Sequence, residues 1–269
     1  LVSAERLREI EPLIDPRAAL GACYYPHEGQ VWPFHFMQAY LRAGYRCGLE
    51  LYRETEVTGF EVRSGRLTGL RTNRGLFSAP VAVLTTGSWT AGLGRLLGRA
   101  WDIRNIHGQA LITEPAAHAL RNHISSAAFF EAMGDEAPGD RTKAVLAVGQ
   151  SPYGHFLLGE AGVNTADLGA SATRAGQAAI AEEAARFFPA ARTLRVLRGW
   201  AAPVAHTADG RPFLGPVDGI DGLILAAAFK STVIITPVVS RLVAQLVLSG
   251  RAELDLSAFS PARGTSPTP

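Results

Sequence analysis

The first part of the chain alternates between helical and extended patterns of apolar positions. Apolar residues at helical spacing after Ser3 predict a short first helix that Pro12 ends. Residues 21–33 are rich in aromatic and β-branched side chains around a glycine turn, which predicts a hairpin-like pair of strands. The pattern then returns to helical spacing, and we predict an amphipathic helix over His35–Cys47.

Residues 49–85 have the pattern of three strands separated by turns. The turns are predicted at Ser64-Gly65 and Arg74-Gly75, because glycine there permits a tight reversal of the chain. The last strand, Val81–Thr85, is continuously apolar, as is typical of a parallel strand that is covered on both faces. It runs into a glycine turn, which is where α/β folds bind ligands.

The pattern of predicted helices and strands changes twice in the second half of the chain. Residues 101–205 contain several extended segments and one alanine-rich helix over about Thr173–Phe188, which predicts an α+β insert with an antiparallel sheet. A buried strand over residues 222–228 and a helix over Thr236–Leu248 then return to the α/β style. The predicted fold class is therefore α/β with an α+β insert.

Composition excludes several classes of protein. The chain has 269 residues, 47% of them hydrophobic, which is ample for a packed core. Its net charge is only +2, without runs of like charge, so we expect no nucleic-acid partner. Lys230 and Pro237 interrupt the longest apolar run, so we expect no transmembrane helix and a cytoplasmic protein, with peripheral attachment to the inner membrane as the alternative.

The usual reactive motifs are absent from the sequence. There is no H-E-x-x-H, G-x-S-x-G or Walker A motif, and the seven histidines have no metal-ligand spacing. Cys23 and Cys47 lack the spacing of a redox or metal pair and are interpreted as buried small apolar residues. We therefore predict neither a metal site nor a catalytic side chain.

Three longer segments carry a resemblance to a known family. They are the strand-rich residues 54–89, the segment HGQALITEP at 107–115, and residues 206–250, which contain T-x-D-G-x-P-x-x-G-P followed by a strand, a turn and a helix. Together they resemble the glycine/D-amino-acid oxidase (DAO-type) family of FAD-dependent flavoproteins. The resemblance implies an FAD-binding Rossmann-like domain interleaved with an antiparallel-sheet substrate domain.

The resemblance also implies domain boundaries. Residues 1–20, 36–100 and 206–262 would form the FAD-binding domain, residues 21–35 and 101–205 the substrate domain, and residues 263–269 a disordered tail. The family's N-terminal strand, glycine-rich loop and helix, which hold the pyrophosphate, have no counterpart here. Because the chain starts at Leu1, in the middle of a helical pattern, we expect a segment to precede it and this piece alone to be inactive.

The resemblance assigns site residues by position. Residues matched to cofactor-binding positions are Val57, Thr86, Gly87, Ala228, Phe229, Lys230, Ser231, Thr232, Val233 and Ile234. Lys230 is also predicted to bind the substrate carboxylate, the alternative being a solvent-exposed loop lysine. His206 is a substrate-binding candidate, although a structural role at a strand end is favoured.

The implied reaction is hydride transfer from the carbon that bears a neutral primary or secondary amine to flavin N5. Pro203-Val204-Ala205 stand where family members often have a second carboxylate-binding arginine, which favours a bulkier or secondary amine among amino acids and their derivatives.

The electron acceptor, O2 or a partner subunit, stays open, as does homo- or hetero-oligomerisation. One alternative is a non-catalytic or partner-dependent subunit that contributes part of a flavin site to a multi-subunit dehydrogenase. Another is action on folate-linked or nucleic-acid-linked amines, although the charge balance argues against RNA.

Overall fold

A computed structural model describes residues 1–117, 119–128, 142–229 and 232–266. The chain divides into two compact units. The first comprises residues 1–30 and 105–203, and the second comprises residues 31–104 and 204–269.

Helices and strands are interspersed along the described ranges. The α-helices are α1 (Ala4–Ile10), α2 (Pro33–Arg46), α3 (Thr90–Leu96), α4 (Arg174–Phe187) and α5 (Thr232–Ser249). The strands are β1 (Val2–Ser3), β2 (Gly21–Ala22), β3 (Val57–Arg63), β4 (Arg66–Thr72), β5 (Gly75–Ser78), β6 (Ala82–Leu84), β7 (Ala100–Trp101), β8 (Arg104–Pro115), β9 (Ile124–Ser125), β10 (Lys143–Gln150), β11 (His155–Thr165), β12 (Val196–His206), β13 (Phe213–Pro216), β14 (Leu223–Ala227) and β15 (Thr265–Ser266).

The first unit is built on the antiparallel sheet that the sequence predicts. Its five strands lie in the order β12-β8-β11-β10-β9. Alternate residues of the strands are buried, and Phe156 and Leu158 of β11 form one core with Ile180 and Ala184 of α4. The predicted alanine-rich helix is α4, and Thr173 caps it by accepting a hydrogen bond from the Gly176 N–H at 3.1 Å.

The N-terminal residues belong to this first unit, which differs from the predicted boundary. Residues 1–20 were expected in the FAD-binding domain, but β1 pairs with β2, and Leu7 and Ile14 are buried in the same core as α4. The predicted helix itself is confirmed, since the Arg6 N–H donates to the Ser3 hydroxyl at 3.3 Å. The predicted hairpin at residues 21–33 is wrong, because β2 takes its partner from the chain start and residues 23–32 form no strand.

The second unit contains the predicted α/β part. Its sheet β13-β14-β6 includes one parallel pair, β14 with β6, so the expectation of a parallel apolar strand near residue 83 is confirmed. A separate sheet, β3-β4-β5, turns at Ser64 and Gly65 as predicted. The two sheets are tied together by two hydrogen bonds, Leu67 N–H to the Asp221 carbonyl at 2.9 Å and Asp221 N–H to the Gly65 carbonyl at 2.8 Å.

Helix α2 also belongs to the second unit and begins at Pro33, two residues before the predicted start. Proline is favoured there because the first residue of a helix needs no hydrogen-bonded N–H. The predicted face is present, with the rings of Phe36 and Tyr40 5.0 Å apart, but α2 has no buried residue within the described chain. Cys47, which follows the helix, and Cys23 are both exposed, so the prediction that they are buried is wrong. Among the described residues, no helix has the length and apolar character needed to cross a bilayer.

The T-x-D-G-x-P motif forms a turn that holds the end of the chain. The Thr207 hydroxyl donates to Asp209 Oδ1 at 2.9 Å, and Arg263 Nε donates to Asp209 Oδ2 at 3.1 Å. The Arg263 guanidinium also lies 4.3 Å above the Phe213 ring. Residues 263–266 were expected to be disordered, but Arg263 joins this turn and β15 pairs with β7, while residues 267–269 lie outside the described chain.

We predict that Arg263→Met lowers the free energy of unfolding by about 1 kcal/mol at pH 7, which allows for solvent screening of a half-exposed carboxylate. Desolvation opposes the shift, but hydrogen bonds from Arg263, the Arg211 N–H and Thr207 lower the pKa of Asp209 to about 2. A lowered pKa stabilises the fold above the unfolded value of 3.8 and ceases to do so as the pH falls through about 2.

Urea unfolding between pH 7 and pH 2 measures this effect. The difference between wild type and Arg263→Met should shrink towards pH 2, and the exposed Arg251→Met is the matched control. A variant as stable as wild type at pH 7 would show that the Arg263 side chain does not stabilise the turn.

Candidate functional site

Two of the predicted cofactor-binding segments leave the same edge of one sheet. β6 and β14 are parallel neighbours, with Ala82 beside Leu223 and Leu84 beside Leu225. Their carboxyl ends therefore lie side by side, which is where α/β sheets bind ligands. The segment Thr86-Gly87 follows β6, and the segment Ala228-Phe229 follows β14. Thr86 and Ala228, which are 142 positions apart in the sequence, are thus brought to the same edge of the sheet.

The turn after β14 has an unusual backbone. Ala228 has a φ of 63°, in the left-handed region that costs a residue with a Cβ about 1–2 kcal/mol. Ala228 is also buried, and the adjacent Phe229 packs against the cluster formed by Leu214 and Leu242. Surrounding packing therefore holds the strained conformation, a combination that is frequent where backbone contacts a ligand.

Helix α5 begins immediately after this turn. It starts at Thr232, four residues before the predicted Thr236, and three residue steps from Phe229 span at most about 11 Å. The N–H groups of its first turn have no partner within the helix and carry partial positive charge. Val233 is half-buried, whereas Ile234 is 78% exposed. The positive end of α5 thus lies near the same sheet edge.

The segment after β6 is open on one side. Gly87 has a φ of 50°, and no atom lies within 4 Å of the position that a Cβ would occupy there. The Thr86 hydroxyl is hydrogen-bonded to the hydroxyl of the fully buried Thr90 at 2.8 Å. Thr90 therefore orients Thr86, a role that was not predicted from the sequence. The Thr-x-x-x-Thr spacing across the glycine turn could have indicated this contact.

The remaining predicted residues are distributed as follows. Val57 lies at the start of β3, in the other sheet of the second unit, and packs against a core that includes Leu84. His206 is the last residue of β12 and is half-buried, and its role stays a prediction. Lys230 and Ser231 lie outside the described residues, and of Thr232 the structure describes only the backbone.

Sequence comparison assigns the chain to a family. Residues 1–246 match the model described as "DAO: FAD dependent oxidoreductase". The chain belongs to this family of FAD-dependent oxidoreductases. The resemblance inferred from the three segments and the predicted cofactor, FAD, are thereby confirmed at the level of the family.

The relatives include a glycine oxidase and a subunit of hydrogen cyanide synthase. The chain is 28% identical over 264 residues to "Hydrogen cyanide synthase subunit HcnC" of Pseudomonas aeruginosa, covering 96% of this chain and 58% of that protein. It is 27% identical over 259 residues to a glycine oxidase of Geobacillus kaustophilus, covering 95% and 63%. The chain therefore spans about three fifths of the length of these relatives.

Solved structures support the fold. The glycine oxidase from Geobacillus kaustophilus has a TM-score of 0.84 at 24% identity, covering 97% of this chain and 66% of that one. The L-proline dehydrogenase from P. horikoshii has a TM-score of 0.83 at 25% identity, covering 98% and 68%. The predicted combination of an FAD-binding fold with antiparallel sheets is thus confirmed.

We predict that Gly87→Ala lowers the free energy of unfolding by about 1 kcal/mol, because alanine must adopt a left-handed φ there without meeting any clash. Gly92→Ala is the matched control, since Gly92 lies within α3 and an added Cβ would meet only Arg95 Nη2 at 3.8 Å. Urea unfolding of both variants measures the difference. Equal stability of the two variants would contradict the backbone requirement at Gly87.

Proposed function

We propose that the protein containing this chain oxidises a primary or secondary amine of an amino acid or amino-acid derivative, by hydride transfer from carbon to flavin N5. The observation that carries the proposal is the convergence of two parallel strand ends and the start of α5 at one sheet edge. Bound FAD would supply the hydride acceptor, which no amino-acid side chain can provide.

The described residues fit such a cofactor. We infer that the backbone of Ala228 and Phe229 and the N–H groups at the start of α5 contact the flavin pyrimidine. Partial positive charge there would stabilise the negative charge that the N1–C2=O region gains on reduction. Thr86 and the open Gly87 would lie near the ADP moiety, and the backbone of Val57 near the adenine.

Besides holding the cofactor, the protein must bind and orient the substrate. Lys230 is the residue we propose for the substrate carboxylate, and His206 is a second candidate for substrate contact. The relatives are named for glycine and proline, which supports an amino-acid substrate. Because Pro203, Val204 and Ala205 provide no cation, a bulkier or secondary amine fits better than glycine itself.

One observation favours a second candidate function. The relative of Pseudomonas aeruginosa is named as a subunit of hydrogen cyanide synthase. The alternative is therefore a partner-dependent subunit that contributes part of a flavin site in a multi-subunit dehydrogenase. The two proposals differ in the electron acceptor, which is O2 for an oxidase and a partner subunit for a dehydrogenase.

Anaerobic reduction of the natural full-length protein tests the proposal. The protein, purified with FAD, is mixed with a panel of glycine, N-alkyl glycines, D-amino acids and opines, and loss of flavin absorbance is recorded. We expect bleaching by at least one amine, followed by reoxidation in air if the protein is an oxidase. Failure to bind FAD, or bound FAD that no amine reduces with or without a partner, would reject amine oxidation.

The chain has two lysines, Lys143 and Lys230, so Lys143 provides a control for the proposed carboxylate-binding role of Lys230. We predict that Lys230→Met raises KM for carboxylate-bearing amines about tenfold or more, as expected for loss of a charged hydrogen bond. FAD retention should change far less, and Lys143→Met should change neither. Parallel loss of FAD and substrate affinity in Lys230→Met would reject the assigned role.

A further inference from the structure

Helix α2 has an apolar face that nothing in the described chain covers. At about 100° per residue, its larger apolar side chains occupy one half of the helix circumference: Phe34, Phe36, Met37, Tyr40, Leu41 and Tyr45. The other half carries polar and charged side chains, including Arg42. Within the part of the chain that the structure describes, no residue of α2 is buried, and Phe34 and Met37 are 64% and 54% exposed. We call the apolar half the α2 face.

The chain that follows α2 is attached to the second unit at defined points. The Leu49 N–H donates to the Gly44 carbonyl at 2.9 Å, so the chain folds back on the end of the helix. Further on, the Asn73 side chain accepts from the Glu56 N–H at 3.0 Å and donates to the Glu54 carbonyl at 3.2 Å. Hydrogen bonds within the unit thus hold this segment in place, and the α2 face is exposed although its helix is anchored.

A helix of this kind needs a packing partner. α2 has 14 residues, and isolated helices of about 12–15 residues are marginally stable in water, because most helix stability in proteins comes from packing of the apolar face. The residues next to the helix in sequence add further exposed apolar side chains: Val31, Trp32, Leu49, Leu51 and Tyr52. Apolar surface of this extent marks an interaction site on a protein. The α2 face therefore requires a partner from outside the described residues.

The same unit contains a sheet edge that is also incomplete. β6 is the outer strand of the sheet β13-β14-β6, so along one side it has no neighbouring strand among the described residues. Its side chains are nevertheless covered, since Ala82 and Val83 are half-buried and Leu84 is buried. Apolar strands with parallel partners belong inside sheets, and an unpaired edge is a template for a further strand. The second unit thus has two features that a further part of the protein would complete.

The relatives contain additional polypeptide of the required length. About two fifths of the Pseudomonas aeruginosa hydrogen cyanide synthase subunit lies outside the matched region, although the match includes 96% of this chain. The solved glycine oxidase from Geobacillus kaustophilus has the same fold over 97% of this chain, and about one third of its own chain is additional. A protein of this length has enough further polypeptide to form a layer against α2.

We propose that the α2 face packs against a segment of the natural protein that lies outside residues 1–269 and belongs to the same polypeptide. A segment in the same polypeptide is held at an effective concentration of about millimolar, so it needs no partner from solution. The segment presents aliphatic and aromatic side chains to α2, because the α2 face is rich in aromatic rings. The open edge of β6 favours the same occupant, since a strand of the same polypeptide can extend the sheet.

Photo-crosslinking in the natural full-length protein tests which polypeptide covers the α2 face. The photoreactive p-benzoylphenylalanine replaces Tyr40 on the α2 face or, as the matched control, Arg42 on the polar half of the same helix. We expect position 40 to crosslink to residues outside 1–269 of the same polypeptide at about tenfold or higher yield than position 42, because only groups in contact react. Crosslinks into residues 1–269, a second copy or a separate protein would overturn the proposal, as would equal yields from both positions.

Thiol labelling supplies a second measurement that introduces only small side chains. Met37→Cys and Arg42→Cys are made in the full-length protein, and labelling of the α2 peptide is followed by mass spectrometry. We expect Met37→Cys to react about tenfold or more slowly than Arg42→Cys in the folded protein and equally fast in urea. Equal rates in the folded protein, or protection of Met37→Cys only at high protein concentration, would overturn the proposal. Because the proposal does not depend on amine oxidation, protection at position 37 without flavin reduction by any amine would reject only the proposed function.

Discussion

The parallel pairing of β6 with β14 is the constraint on which the candidate site depends. A parallel pair must bring the carboxyl ends of both strands to the same edge, whatever the length of chain between them. Here that edge receives the open glycine turn at Gly87 and the left-handed turn at Ala228. If β14 were antiparallel to β6, these turns would lie at opposite ends of the sheet and no common site could form.

Several contacts hold this sheet in place without taking part in chemistry. Hydrogen bonds of Asp221 and Leu67 fix β4 to the start of β14, and the Thr207–Asp209–Arg263 turn precedes β13, the other neighbour of β14. The conspicuous T-x-D-G-x-P motif is thus explained by structure. Its threonine and aspartate satisfy backbone groups and an arginine, and we assign the motif no contact with substrate.

The sequence predicts those parts of the fold that depend on local patterns. Continuous apolar segments indicated β6 and β14, and helical spacing indicated α1, α2 and α4 within a few residues. Pairings between distant residues were not predictable in this way. β2 was assigned to a hairpin because its partner, β1, lies about twenty residues away, and the Arg263–Asp209 pair spans 54 positions.

In the candidate site, too, local sequence patterns predict some features, whereas others depend on contacts between distant residues. The start of α5 was placed too late because Thr232–Ile235 is rich in β-branched residues, which favour strands over helices unless the surrounding fold decides otherwise. The contact of Gln30 and His123 with the strand at Gly149 has no sequence motif, since the missing Cβ of the glycine makes room for both side chains. Lys230 stays a prediction that rests on position alone.

The most direct test of the central claim is an experimental structure of the natural full-length protein with FAD bound. We predict that the flavin pyrimidine contacts the backbone of residues 228–229 and the first turn of α5, with Gly87 close to the ADP moiety. FAD bound elsewhere on the protein, with this sheet edge covered by other side chains, would contradict the account.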